Sequence, residues 1–391
     1  MNVLPGFRRA SRIASLEISE IVQLTEHAAA LRAEGRDVIA LSTGEPDFPT
    51  PAHVIQAAHA AALAGKTRYP ATAGTPELRD AIAQRNGVTR AEVIVSTGAK
   101  QVLANAMLAS LDEGDEVIVP APYWTSYSDI VAMAGGTPVV VPCSMAQSFK
   151  ITPASLRAAI TPKTRWIMLN SPSNPSGAIY SAGEQRALAD VLAKHPHVLI
   201  LVDEIYEHLS YVPFSSFKSA APELAERILI VNGVSKAYSM TGWRIGWGVG
   251  PAAMIRAMGA VQGQVTSGAC SVSQAAALAA LQGDESLLES RRETLHARRD
   301  KVVAALNAVP GIRCPTPDGA FYVFPDVTGA MQRGGYANDA DFCAGLLDRA
   351  GLAIVPGRAF GLPGHVRLSF AYSEAELDAG LSRIAEILKG N

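Results

Sequence analysis

The residues best suited to covalent chemistry lie in one loop, at Lys236 and Arg244. Lys236 comes five residues after the apolar run Ile228-Leu229-Ile230-Val231, and Arg244 comes eight residues after Lys236. An amine can form a Schiff base with an aldehyde, and a guanidinium can hold a phosphate dianion. The pair therefore predicts amine chemistry on a phosphorylated aldehyde, although a lysine after a strand is by itself more often a solvated loop residue.

Polar residues also follow several other apolar segments of the chain. Short apolar runs alternate with helical patterns over residues 38–231, which is typical of a parallel sheet covered by helices on both faces. In such sheets, ligands bind at the carboxyl ends of the strands. We therefore expect five loops to converge on one site: Gly98-Ala99-Lys100, Tyr123-Trp124, the segment 170–174, Asp203 with Tyr206, and Ser235-Lys236.

The character of the sequence changes after a long charged helix predicted over Glu285–Leu306. Beyond it, Phe321–Phe324, Ala353–Val355 and His365–Leu368 have the pattern of strands in an α+β unit. A helix predicted over residues 19–34 is expected to complete this unit. We predict an α/β protein with a large domain over residues 45–285 and a small domain built from residues 1–44 and 286–391.

The composition is that of a soluble globular protein. Of the 391 residues, 48% are hydrophobic and 18% charged, and the net charge is -2, which gives no sign of nucleic-acid or membrane binding. The four cysteines are far apart and form no zinc-binding pattern, so we expect no metal site. No run approaches the roughly 20 apolar residues of a spanning helix, and we see no signal peptide. We expect a cytoplasmic protein.

Seven motifs occur in a characteristic order between Ser42 and Leu388. They are Ser42-Thr43-Gly44-Glu45-Pro46-Asp47-Phe48, Arg68-Tyr69, Asn170-Ser171-Pro172-Ser173-Asn174-Pro175-Ser176-Gly177, Asp203-Glu204-Ile205-Tyr206, the lysine loop from Ser235 to Arg244, Gly319-Ala320-Phe321-Tyr322 and Val366-Arg367-Leu368-Ser369. With these motifs the chain resembles the class I, fold-type I pyridoxal-phosphate-dependent aminotransferases. Among these it is most similar to the bacterial aspartate and aspartate/prephenate aminotransferases.

The resemblance implies a cofactor, pyridoxal 5'-phosphate, and a role for each residue around its ring. Lys236 would form the Schiff base with the aldehyde and then shuttle a proton, while Asp203 would pair with the ring nitrogen. Tyr206 and Asn174 would donate to the phenolic oxygen, and Trp124 would stack on the ring. From the residues alone, Asp203 could instead cap the following turn, Asn174 could be a turn residue, and Trp124 could be an ordinary core aromatic.

The resemblance also implies a phosphate site and a partner subunit. The helix start at Gly98, Ala99 and Lys100 would offer main-chain N–H groups to the phosphate. Ser235 and Arg244 would add side-chain contacts. Tyr69 matches a tyrosine that reaches the phosphate of the neighbouring subunit, which implies a homodimer with shared active sites.

On the substrate side, the resemblance implies that Arg367 pairs with the α-carboxylate and that Gly44 lets this carboxylate approach closely. Trp124 and Asn174 would also contact the substrate. Lys100 is the residue we expect to bind a distal carboxylate, because a dicarboxylate needs a second cation; it could instead be a solvated lysine of the first helical turn.

The leading hypothesis is ping-pong transamination of L-aspartate with 2-oxoglutarate, giving oxaloacetate and L-glutamate. One alternative is a broad-specificity aminotransferase for aromatic, alanine-like or basic amino acids or for prephenate and glutamate. Another is a C–S lyase on the same fold. A non-catalytic cofactor-binding regulator is disfavoured, because the residues before Gly44 hold one predicted helix and no basic patch.

Overall fold

The computed structural model describes residues 8–14 and 16–389 of the chain. The α-helices in these residues are α1 (Glu20–Ala33), α2 (Ala52–Leu63), α3 (Pro76–Asn86), α4 (Ala99–Leu108), α5 (Ser126–Met133), α6 (Pro153–Ala159), α7 (Ala182–Leu192), α8 (Phe217–Ala220), α9 (Ala252–Val265), α10 (Ser271–Gln282), α11 (Ser286–Asn307), α12 (Thr328–Gly334), α13 (Asp339–Ala350) and α14 (Glu374–Lys389). The strands are β1 (Ile39–Ala40), β2 (Val93–Thr97), β3 (Glu116–Ala121), β4 (Thr137–Pro142), β5 (Thr164–Asn170), β6 (Leu199–Asp203), β7 (Ile228–Gly233), β8 (Ile245–Val249), β9 (Tyr322–Val323), β10 (Leu352–Ala353), β11 (Val355–Pro356) and β12 (Val366–Ser369).

The central sheet has seven strands in the order β2-β8-β7-β6-β5-β3-β4. Strands β3 to β7 pair in parallel, while β8 is antiparallel to both β2 and β7. The strands carry apolar side chains on both faces because both faces are covered by helices. In β6, for example, Ile200 and Val202 pack into one core and Leu201 into the core on the opposite face.

A second group of short strands belongs to the two ends of the chain. Strands β11, β12 and β9 form an antiparallel sheet, and β1 pairs in parallel with β10. Helix α11 joins the two regions, because its Leu288 packs into a core of the large sheet and its Leu295 into the core of this second unit.

Two details differ from the sequence-based expectation. The segment 353–355, predicted as one strand, is divided between β10 and β11, which lie in different sheets. Strand β8 and helices α8, α9, α10, α12, α13 and α14 were not predicted. In β8, large residues alternate with glycines, so its pattern resembles that of a loop.

None of the helices in the described part of the chain is both long and apolar enough to cross a membrane. Across residues 8–14 and 16–389, no group of three or more His, Cys, Asp or Glu side chains is arranged to hold a metal ion.

Candidate active site

A cavity of about 320 Å³ lies at the carboxyl end of the central sheet, between this sheet and the second unit. It collects the loops after β2, β3, β5, β6 and β7, together with residues of β9 and β12, and α1 contributes one side chain. Its walls are formed by Ile21, Gly44, Ala99, Lys100, Trp124, Tyr127, Asn170, Asn174, Asp203, Ile205, Tyr206, Ser235, Lys236, Thr241, Arg244, Tyr322 and Arg367.

Lys236 lies in the loop that follows β7, and its half-buried side chain lines the cavity. Its Nζ donates a hydrogen bond to the carbonyl oxygen of Gly44 at 2.7 Å. Burial lowers the pKa of the Lys236 amine to about 8, and the positive charge of Arg367 acts in the same direction. A substantial fraction of this amine is therefore neutral near physiological pH, as a nucleophile or base must be.

Asp203 is the last residue of β6 and is almost fully buried, with 4% of its surface exposed. One carboxyl oxygen accepts a hydrogen bond from the Tyr127 hydroxyl at 2.7 Å, and the other accepts from the Ile205 amide at 3.1 Å. Burial raises the pKa of the Asp203 carboxyl to about 6 despite these donors. The site thus holds a buried acid that a cationic ligand atom would stabilise in its charged form.

The start of α4 and the side chain of Arg244 meet at one end of the cavity. Gly98 precedes α4 with a φ of 81°, and a methyl group at this position would overlap the Arg244 guanidinium. Gly246 of β8 packs just as closely, since a side chain there would overlap the main-chain nitrogen of Ala99. The N–H groups at the start of a helix and an adjacent guanidinium form an anion-binding arrangement.

Arg367 of β12 is the buried cation at the opposite side of the site, with 2% of its surface exposed. It donates to the Asn174 side-chain oxygen at 2.9 Å and to the Ser42 carbonyl at 2.5 Å. The rings of Tyr322 and Phe360 lie 4.6 and 4.9 Å from the guanidinium carbon.

Two observations suggest that Arg367 is prepared for an anion. Its Nε is buried without a hydrogen-bond partner. Burial lowers the pKa of its guanidinium, and its bonds go to the neutral oxygens of Asn174 and Ser42. A buried guanidinium without a counter-ion is costly, so an anionic ligand at this position would lower the free energy of the site.

Lys100, Trp124 and Tyr206 complete the walls of the cavity. The Nζ of Lys100 lies 4.7 Å from the ring centre of Trp124. Partial burial and the charge of Arg244 lower the pKa of Lys100, whereas Asp129 raises it. The hydroxyl of Tyr206 lies 3.0 Å from that of Tyr322.

The structure brings eleven of the thirteen sequence-predicted site residues to the walls of this one cavity. Gly98 lies directly behind the wall, against Arg244. Tyr69 lies elsewhere, on the loop between α2 and α3, with 92% of its surface exposed. Its predicted contact with a partner subunit stays a prediction.

Sequence reasoning assigned no role to three residues that contact the predicted ones. Tyr127 donates to Asp203, Tyr322 contacts Tyr206 and Arg367, and Asn170 accepts a hydrogen bond from the main chain of Asn174 at 2.7 Å. Tyr322 and Asn170 belong to two of the seven motifs given above, and Tyr127 comes three residues after Trp124. Their presence near the site was therefore visible in the sequence, but the direction of their side chains was not.

The comparisons with known proteins agree with this geometry. Residues 36–384 match the family described as aminotransferase class I and II. An aspartate aminotransferase of Rhizobium meliloti is 52% identical, with 98% of this chain and 97% of the relative covered. An aspartate/prephenate aminotransferase of Cereibacter sphaeroides is 48% identical, with 97% of this chain and 98% of the relative covered.

Solved structures give the same result. The crystal structure of the Rhizobium meliloti aspartate aminotransferase has a TM-score of 0.94 at 51% identity and covers 98% of this chain and 99% of its own. The Thermus thermophilus aspartate aminotransferase with maleate has a TM-score of 0.91 at 42% identity, covering 97% and 100%. This chain belongs to the class I and II aminotransferases. It is therefore an enzyme that transfers amino groups, and the predicted family and fold class are confirmed.

Proposed function

We propose that this aminotransferase uses pyridoxal 5'-phosphate to transfer the amino group of L-aspartate to 2-oxoglutarate. The observation that carries the proposal is the position of the Lys236 amine, which lies in one cavity with a buried guanidinium, Arg367, and a second cation, Lys100. A dicarboxylic amino acid would place its two carboxylates on the two cations and present its Cα to the amine. The names of the relatives from Rhizobium meliloti and Cereibacter sphaeroides support the same substrate.

The residues present fit the cofactor at four points. Asp203 offers a buried carboxylate without a bonded cationic side chain, which suits a protonated ring nitrogen. The start of α4, with Ser235 and Arg244, suits a phosphate. Trp124 offers an aromatic face, while Tyr206 and Asn174 offer donors for the phenolic oxygen. When bound, the cofactor supplies an aldehyde that condenses with amines and a ring that delocalises electrons from the adjoining carbon.

The chain's own groups would then act as follows. Arg367 binds the α-carboxylate, and Gly44 leaves room for it, since a side chain there would lie 2.5 Å from the Tyr322 hydroxyl. Asn174, held by Arg367, orients the same end of the substrate. The neutral Lys236 Nζ removes the proton from the substrate Cα. Burial favours this neutral form, and general bases of this kind contribute about 10²–10⁴-fold to rates.

We also propose that the protein is a homodimer whose active sites are shared. Tyr69 and Leu63 are 92% and 77% exposed, and Val265 at the end of α9 is 60% exposed. These residues lie on neighbouring segments, because Gln262 of α9 donates to the Thr72 carbonyl at 2.6 Å. Exposed apolar residues on one face are typical of a subunit interface. Tyr69 would then reach the phosphate site of the partner.

Prephenate is a second candidate amino acceptor. The relative from Cereibacter sphaeroides carries this activity in its name, and Ile21 and Trp124 give the cavity an apolar wall that suits a ring. The visible spectrum of the cofactor-loaded protein separates the two acceptors, because the return to the Schiff-base band can be followed with either prephenate or 2-oxoglutarate in the second half-reaction.

The visible spectrum of the cofactor-loaded protein tests the proposal. We expect the Schiff-base band to shift to that of the amino form on adding L-aspartate, and far more slowly with L-alanine or L-phenylalanine. Lys100→Met should raise the L-aspartate concentration for half-maximal rate by about 10- to 100-fold, since a charge-assisted bond contributes about 1.5–3 kcal/mol. The L-alanine reaction of this variant should be unchanged.

Lys163→Met, an exposed lysine outside the cavity, is the matched control. Equal rates for L-aspartate and L-alanine in the wild type would exclude the dicarboxylate specificity while keeping the transaminase. A cofactor-supplied protein without a Schiff-base band would contradict the role of Lys236.

A further inference from the structure

Arg291 is a buried cation outside the cavity, in the middle of α11. Only 6% of its surface is exposed, and burial lowers the pKa of its guanidinium. It lies between Leu288, which packs into a core of the large sheet, and Leu295, which packs into the core of the second unit. A cation buried at such a junction is costly unless its donors are satisfied.

The guanidinium of Arg291 donates to two main-chain carbonyls from different segments. Nη1 donates to the Ala237 oxygen at 3.0 Å, and Nη2 donates to the Pro49 oxygen at 2.6 Å. The ring of Phe48 lies 5.2 Å from the guanidinium carbon, which fixes the plane of the fork. A planar guanidinium can hold two acceptors in a set geometry, whereas an ammonium cannot.

The two segments that Arg291 joins are also the ones that meet at the Lys236 amine. Ala237 is the neighbour of Lys236, and Pro49 belongs to the segment that begins at Gly44, whose carbonyl accepts the bond from Lys236 Nζ at 2.7 Å. Thr50 bonds the Ser239 carbonyl at 2.7 Å and strengthens the same junction. The amine and its acceptor are therefore carried by two segments that one guanidinium joins.

A neighbouring arginine of α11 makes a useful comparison. Arg298 bonds Asp47 at 2.8 Å, and its guanidinium carbon lies 5.5 Å from the ring centre of Phe48, the ring that Arg291 also contacts. It therefore anchors the segment 44–50 to α11, but no bond from its side chain to the Lys236 loop is present among the described residues. Of these two arginines, Arg291 alone spans both segments.

We propose that Arg291 is a positioning residue for Lys236. By donating hydrogen bonds to both the Ala237 and the Pro49 carbonyl, it sets the distance between the amine and the Gly44 segment. This inference rests on the proposed function, since it assigns the proton transfer at Cα to Lys236. Small displacements of a catalytic group, about 1 Å, can cost about 10²-fold in rate. A change at Arg291 should therefore act on the proton-transfer step and leave substrate binding nearly intact.

The test compares Arg291→Met with Arg292→Met. Arg292 is the adjacent residue of the same helix, 41% exposed at its side chain, and within the described part of the chain its one ion pair is with Glu289 at 3.5 Å. We expect Arg291→Met to lower kcat with L-aspartate at least about tenfold with KM changed less than about twofold. The kinetic isotope effect with Cα-deuterated L-aspartate should rise. Arg291→Lys keeps the charge but not the planar guanidinium, so its kcat should lie between those of Arg291→Met and the wild type. Arg292→Met should match the wild type.

Hydrogen–deuterium exchange supplies a readout that does not depend on turnover. In protein prepared with and without the cofactor, Arg291→Met should increase amide exchange in residues 44–50 and 235–243 together. A purely structural role would instead raise exchange along α11 and both cores, with kcat and the isotope effect unchanged below the melting temperature. That result would overturn the inference.

The variants remain informative if one of them does not fold. Where Arg291→Met is insoluble, Arg291→Lys and Arg291→Gln carry the same comparison, and wild-type values for both would also overturn the inference. A wild type that does not turn over L-aspartate would contradict the proposed function instead, while the exchange experiment would still decide whether Arg291 joins the two segments.

Discussion

Lys236 and Asp203 are the two ionisable residues whose burial has the largest consequence for the chemistry. Burial acts on them in opposite directions, lowering the pKa of the amine to about 8 and raising that of the carboxyl to about 6. Both changes favour the neutral forms. A bound cation would restore the charge on Asp203, and a neutral Lys236 is ready to attack a carbonyl carbon.

The lowered pKa of Lys236 predicts that the residue destabilises the cofactor-free protein. Between about pH 8 and the ordinary value of 10.5, the unfolded chain binds more protons than the folded one, so the free energy of unfolding rises with pH. Lys236→Met removes this effect. The variant should exceed the wild type by on the order of 3 kcal/mol at pH 7, and the difference should shrink from about pH 8 upward and vanish above the ordinary value of 10.5.

Urea unfolding of the cofactor-free proteins at several pH values measures this difference. Lys163→Met, which removes an exposed lysine, is the control for the loss of a positive charge at the surface. A stability gain for Lys236→Met that stays constant from pH 7 to pH 11 would show that packing, and not the charge, is responsible.

Individual residues also show what the sequence could and could not reveal about the site. Lys236 and Asp203 were predictable because each follows an apolar strand, and strand ends meet at one edge of a parallel sheet. Arg367 was assigned through motif resemblance, since β12 lies in a different sheet and no periodicity places it near Lys236. The contribution of Tyr127 to Asp203 depends on the rotation of α5, which the sequence does not specify.

At the level of elements, the close packing of β8 against the start of α4 forms the anion-binding end of the cavity. Gly246 pairs with Ser96 of β2 and Gly233 of β7, and a side chain on it would lie 2.6 Å from the Gly98 carbonyl carbon and 2.7 Å from the Ala99 Cα. These atoms are main chain and cannot rotate away. Any side chain at Gly246 must therefore displace the first turn of α4.

Gly246→Ala should weaken binding of pyridoxal 5'-phosphate at least about tenfold, equivalent to about 1.4 kcal/mol, by moving the Ala99 and Lys100 N–H groups. Absorbance titration of the cofactor-free protein gives the dissociation constant. Gly259→Ala is the control, because Gly259 lies within α9 with nothing within 4 Å of an added methyl group. It should bind the cofactor as the wild type does and be up to about 1 kcal/mol more stable. Unaltered binding by Gly246→Ala would remove the start of α4 from the phosphate site.

The elements themselves were predictable to different degrees. Helix α11 was predicted within one residue at each end, because it has a long charged pattern. Strands of two residues are too short for the sequence to define their ends: β9 was predicted as Phe321–Phe324, and β10 and β11 were predicted as one strand. For the same reason the predicted strand over 353–355 was wrong in its extent.

At the scale of the whole molecule, the passage of α11 between two cores supports the predicted division into a large domain, 45–285, and a small domain, 1–44 with 286–391. This division stays a prediction. Under this division Arg291 belongs to the small domain, just beyond the predicted boundary, but it bonds two segments of the large domain.

The shared-site dimer predicts that two impaired proteins can complement each other. Lys236→Ala lacks the amine, and Tyr69→Ala should bind the cofactor weakly in the partner's site. A mixed dimer would contain one site with both changes and one site with neither. Unfolding the two variants together and refolding them should therefore give activity well above the mean of the separate proteins, with normal cofactor affinity in the active fraction.

Sedimentation of the wild type should show a dimer, and refolding each variant alone is the control for the mixing experiment. Activity of the mixture equal to the mean of its components would place Tyr69 outside the active sites, or the sites within single subunits. A monomeric wild type would contradict the homodimer directly.

The pairing of β1 with β10 also bears on how the protein is made. Ile39 and Ala40 pair with Leu352 and Ala353, and Ala28 and Leu31 of α1 pack in the same cluster as Leu347 and Ala353. At roughly 5–20 residues per second, a ribosome needs about 15 to 60 seconds to travel from Ala40 to Leu352. For that time the beginning of the nascent chain carries an unpaired strand and an uncovered apolar helix face, which makes it a binding site for ribosome-associated chaperones.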